Sequence, residues 1–142
     1  MEPSIQTGKP LAPSFRSRGM TLIELMIVLT IILTVLSVAL PLYQKAITRS
    51  KEAVLKQNLF TLRTLIDEYT FDKEKAPQTL QDLVSEGYLR DVPMDPITKR
   101  RDTWKTEMED SLRSVDQKEP GIVDVHSGAE GTALDGSKYS EW

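Results

Sequence analysis

From Met20 to Leu42 the chain reads MTLIELMIVLTIILTVLSVALPL, 23 residues in which Glu24 is the only charge. A helix rises about 1.5 Å per residue and the hydrocarbon of a bilayer is about 30 Å deep, so roughly 20 apolar residues are enough to cross it. A cleaved secretory signal has a shorter apolar core, roughly 7–15 residues, ahead of a small-residue cut site. Ser37, Ala39 and Pro41 imitate such an end, but the run before them is too long. A helix buried in a soluble core would need a large apolar partner, and the rest of the chain is too polar to supply one. Mean hydropathy is −0.30 even with this run included. The run therefore predicts a membrane helix over residues 20–42.

The full length of 142 residues allows one domain, or one domain with an appendage. With no cysteine, disulfide frameworks, thiol nucleophiles and Cys-ligated metal sites are excluded. The balance of 18 basic and 21 acidic residues, net −3, leaves no electrostatic footprint for nucleic acid. Walker A, HExxH, GxSxG and EF-hand patterns are all missing, so an enzyme is not expected.

Glu24 is costly at membrane depth, by a few kcal/mol on insertion scales, which makes a functional role the default reading. The bland alternative is that it lies only four residues into the run and snorkels to the headgroups. Residues 1–19, MEPSIQTGKPLAPSFRSRG, carry three prolines and no periodicity and read as an unstructured leader. Arg16 and Arg18 stand just before the span, as in a targeting sequence. Lys9, Arg16 and Arg18 on one side are matched by Lys45, Arg49, Lys51 and Lys56 on the other, so charge counting leaves orientation open.

The segment Arg18-Gly19-Met20-Thr21-Leu22-Ile23-Glu24 resembles the prepilin cleavage and methylation motif of type IV pilins and type II secretion pseudopilins. The resemblance implies cleavage after Gly19 by prepilin peptidase and N-methylation of the new terminus, Met20, where relatives usually have Phe. It makes Glu24 the fifth mature residue, pairing in the filament with the amino terminus of a neighbouring subunit. Pro41 matches the proline that ends the membrane half in many members. Glycine suits the cut because it has no Cβ to obstruct access. A buried amine facing a buried carboxylate explains why Glu24 would act as a register device: losing one partner strands the other.

Beyond Pro41, a single potential kink, the chain has neither Gly nor Pro until Pro77. Leu55, Leu59, Leu62, Ile66 and Tyr69 recur at 4-3-4-3 spacing, the stripe of an amphipathic helix. Lys51, Lys56, Arg63 and Asp67 fall on other faces. One helix is thus expected from Met20 to about Asp72. A second, short helix is expected at 79–86, with Thr79 and Asp82 spaced as a capping box and Gly87 as the stop. Trp104–Glu109 and Ile122–Val125 read as short strands, with Asp110–Gly121 as a charged turn or loop.

In this head, Gly87-Tyr88-Leu89, Val92-Pro93 and Asp95-Pro96 resemble a run in the major pseudopilins of type II secretion, the protein G type. The Asp/Gly-rich tail from Asp124 to Trp142 is similar to that family's terminal loop, while residues 97–121 are unmatched. The family holds calcium in that loop. Here the resemblance would assign the ion to Ser127, Glu130 and Asp135, against a plain Asp135-Gly136 turn with no ion. His126, the only histidine, reads as a strand-end surface residue.

These expectations combine into an α+β, pilin-like lollipop. A leader spans 1–19, a transmembrane helix 20–42, its amphipathic continuation 43–76, and a small α+β head 77–142. The implied role is a pseudopilus subunit driving export of folded proteins, with a surface type IV pilin for adhesion, motility or DNA uptake as the alternative. Implied partners are copies of itself, prepilin peptidase, an inner-membrane assembly platform and minor pseudopilins. The implied location is the bacterial inner membrane, with the head in the periplasm.

Overall fold

The computed structural model describes residues 19–110 and 119–142. The leader with Arg16 and Arg18, and most of the loop expected at 110–121, lie outside the described residues.

The expected long helix forms as α1, Leu22–Lys73, 52 residues and about 80 Å at the standard rise. It begins two residues later than expected. Pro41 sits inside α1 without ending it; its missing N–H removes the bond that would go to the Ser37 carbonyl. The helix stops where Glu74 turns left-handed (φ 55°) and Pro77 follows.

By contact density the chain divides into Met1–Ala39 and Leu40–Trp142. In the first unit every described residue is exposed. In the second, the stripe behaves as its period predicts: Leu55, Leu59, Leu62, Ile66 and Tyr69 are all buried. They pack with Leu83, Trp104, Ile122, Val125, Ala129, Ala133 and Tyr139 into one core.

The second helix, α2, is Leu80–Ser85, slightly shorter than expected. Asp82 Oδ2 reaches back to accept the N–H groups of Gln78 and Thr79, both at 2.9 Å. Gly87, at φ 85°, supplies the left-handed residue that closes the helix, with its N–H donated to the Val84 carbonyl.

Strands β1, Lys105–Met108, and β2, Ile122–His126, pair antiparallel as the only sheet among the described residues. The register sets Lys105 against His126 and Glu107 against Asp124, with an irregularity at Glu107/Met108. Trp104 was expected inside β1. It instead enters the core, and its indole N–H donates to the Pro93 carbonyl at 2.9 Å. A 3-10 turn, Tyr139–Glu141, closes the chain. The α+β class is as the pattern predicts.

Candidate functional site: the amino-terminal segment and the terminal loop

Gly19 and Met20 lie outside the helix. Thr21 caps it: the Glu24 N–H donates to Thr21 Oγ1 at 3.3 Å and the Leu25 N–H to the Thr21 carbonyl at 3.1 Å. Glu24 is thereby the third helical residue, where its charge complements the positive end of the helix dipole. The Gly19–Met20 bond, just ahead of the cap, is free of helical hydrogen bonding, the state a peptidase needs. A Cβ at Gly19 would meet nothing within 4 Å, so the fold itself makes no demand for glycine there. The signal for Thr21 is its spacing, Thr-x-x-Glu ahead of an apolar run.

The helix that follows is apolar on every side. Leu22 is 79% exposed and Leu33 65%, and no residue from 19 to 47 is better than exposed. Its few hydroxyls are satisfied internally: Thr30, Thr34 and Ser37 donate to the carbonyls of Met26, Thr30 and Thr34 at 2.7–2.8 Å. Lipid offers no partner for a polar atom, so this is what a spanning helix requires. Among the described residues this is the helix long and apolar enough to cross a membrane.

Residues 14–40 match the family described as the prokaryotic N-terminal methylation motif. The chain is also 35% identical over 77 residues to the competence protein ComGC of Halalkalibacterium halodurans, covering 54% of this chain and 76% of that protein. The chain belongs to the type IV pilin-like superfamily. No solved structure matches it. A prepilin-type motif joined to one amino-terminal apolar helix makes this pilin-like chain a membrane-anchored protein.

In the head of the pilin-like chain, the expected calcium donors are engaged otherwise. Ser127 is fully buried, and its hydroxyl donates to Asp95 Oδ2 at 2.6 Å while accepting the Ala129 N–H. Asp135 Oδ1 accepts both the N–H and the hydroxyl of Ser137, at 3.0 and 2.6 Å. Those two bonds, with Lys56 nearby, outweigh desolvation and hold its carboxyl below the usual range. Its other oxygen lies 3.9 Å from Lys56 Nζ. Glu130 is exposed. Calcium wants six to eight oxygens, and the expected set does not fit that shell as arranged.

Three residues have organising roles that spacing and motif did not assign to them. Asp95 is fully buried, and its Oδ1 accepts the N–H groups of Ile97 and Thr98. The Asp95-Pro96 pair is thus a self-capped turn bolted to Ser127. Glu52 is buried and extends the apolar stripe by one turn, three residues before Leu55; its position was legible, its charge concealed it. Arg63, placed by period on an outer face, is half-buried and joins α1 to β2 and the last residue. It donates to Asp124 Oδ1 at 2.6 Å and to the main-chain oxygens of Val125 and Trp142, each at 3.0 Å.

Proposed function

We propose that the chain is a filament subunit, cut after Gly19, methylated on Met20 and polymerised through its apolar helix. The observation that carries this reading is the Thr21 cap: a peptide bond outside the helix, then a capped helix, then a single carboxylate on an otherwise apolar and uncovered surface. Released from Gly19, the Met20 amine would sit four residues from Glu24 of its own chain. In a stack of such helices, the Glu24 of one copy would meet the amine of the next, so each added subunit would satisfy the charge left by the last.

Within that role, the first reading is the major pseudopilin of a type II secretion system, anchored in the inner membrane with its head in the periplasm. It would work with prepilin peptidase, an assembly platform and minor pseudopilins. The support is the head run from Gly87 to Pro96, whose residues stop α2, hold the Trp104 indole and bolt Ser127. The similarity to a protein named for competence favours a second reading, a filament serving DNA uptake. Cells carrying Glu24→Ala separate them. Loss of secreted folded proteins with transformation intact supports the first; loss of transformation with secretion intact supports the second. Retention of both, with normal filaments, overturns the filament role.

A further inference from the structure

The β1–β2 ribbon gathers three metal-ligating side chains far from the amino-terminal segment in sequence. Glu107 stands directly across from Asp124, and His126 follows Asp124 by two residues on the same strand. One donor atom from each lies within 4.8 Å of the others. His126 Nε2 is 3.6 Å from Glu107 Oε2 and 3.7 Å from Asp124 Oδ2. These distances are too long for hydrogen bonds. They approach the spacing of neighbouring donors around a tetrahedral zinc ion, about 3.3 Å for bonds of 2.0–2.2 Å.

The orientation of each donor is set by a group behind it. His126 Nδ1 is 2.7 Å from the Trp142 main-chain oxygen, which can only accept, so Nδ1 carries the proton and donates. The Nε2 lone pair then faces the two carboxylates. Arg63 lies 3.5 Å from Nδ1, and its Nη2 hydrogens go to the Val125 and Trp142 oxygens. Arg63 also occupies Asp124 Oδ1, which leaves Oδ2 for the site. A histidine whose far nitrogen donates to a main-chain oxygen, and a carboxylate held by an outer partner, are the usual supports of metal ligands.

We propose that Glu107, Asp124 and His126 form a divalent-cation site of the zinc class. One imidazole nitrogen and two carboxylate oxygens suit zinc better than calcium or magnesium, which prefer oxygen throughout. Three protein ligands leave a fourth position for water. The two carboxylates neutralise the ion, and Arg63, turned to the other oxygen of Asp124, does not enter the shell. Lys105, paired with His126 in the ladder, is a further cation among the described residues. Bound metal would clamp β1 to β2 and, through Arg63 and Trp142, tie the ribbon to α1 and the chain's last residue.

The composition makes the test clean. The chain has one histidine and no cysteine, so zinc binding tighter than that of scattered carboxylates must pass through His126. The experiment uses the full chain in detergent, freed of any histidine tag, competing for zinc against a chromophoric chelator. We expect one zinc per chain. Glu107 is 65% exposed at its side chain, so Glu107→Gln should leave the fold intact. Losing a ligand should weaken binding by more than about tenfold, the lower end for an outer-shell partner. His126→Gln should abolish it, and cobalt in place of zinc should give a visible absorption band that the same variant removes. Glu130→Gln and Asp135→Asn should bind as the parent does. No zinc uptake by the folded chain, or uptake unchanged by Glu107→Gln with near-ultraviolet dichroism intact, overturns the site.

Discussion

Glu52 Oε1 accepts the hydroxyl of Tyr139 at 3.0 Å and the N–H of Leu134 at 2.8 Å, joining α1 to the terminal loop across more than eighty residues of chain. The loop end then builds on this anchor. Tyr139 meets Trp142 edge to face at 5.3 Å, and Lys56 lies 4.1 Å above the Trp142 ring.

Glu52→Ala strands two donors, the buried Tyr139 hydroxyl and the part-buried Leu134 N–H. An unsatisfied buried group costs about 1–3 kcal/mol, so the variant should lose about 3 kcal/mol. For a folded unit near 100 residues that lowers Tm by more than about 10 °C. Tyr139→Phe removes one donor and leaves Leu134 paired, so its loss should be smaller. Trp104 and Trp142 fluorescence during thermal unfolding in detergent reads both. Equal melting of Glu52→Ala and the parent would refute the anchor.

The head should weaken at high pH. Burial raises the pKa of Tyr69, Tyr88 and Tyr139, with the Asp72 bond to Tyr88 and the Glu52 bond to Tyr139 adding to it. A raised folded-state value means stability is fully present below the unfolded value, about 10, and is lost as pH rises through the folded values. Denaturation midpoints should therefore fall above pH 10. Tyr139→Phe should flatten that fall, and an unflattened profile would count against the Glu52 contact.

Gly19 tests processing separately from folding. Because a Cβ there touches nothing, Gly19→Ala or a bulkier change should leave the fold unchanged and the precursor uncut. Mass spectrometry of the parent should find a mature chain starting at methylated Met20. A mature terminus elsewhere would remove the processing assignment.

Glu24→Gln should insert and be cut normally, since Thr21 still caps the helix. Filament yield should collapse, because the neighbour's amine then has no buried counter-charge, at several kcal/mol in the assembled state alone. Normal filaments from this variant would end the register role.

Calcium in millimolar excess should leave the melting curve where it is. Asp135 is already occupied by Ser137 and faces Lys56, and the Ser127 hydroxyl belongs to Asp95. A site filled a hundredfold above Kd would add about 2.7 kcal/mol. A rise of that size, abolished by chelator and by Asp135→Ala, would show that the loop rearranges around an ion.

The sequence by itself determined whatever depends on neighbours along the chain. The length of the apolar run from Met20, the 4-3 stripe from Leu55 to Tyr69, the capping box of Thr79 and Asp82 and the Gly87 stop all follow from spacing within a few turns. The strands were legible from local composition, but their ends were not: Trp104 left β1 because its indole had a partner in Pro93. Only the tertiary structure decided which charges are buried. Asp95 with Ser127, Glu52 with Tyr139, and Glu107 with Asp124 and His126 meet across loops whose length sets no partner. A polar residue enters a core when a distant donor arrives to satisfy it. No period within a helix or strand records that donor, and so Arg63, on an outer face by spacing, became the residue that holds Asp124 and Trp142 together.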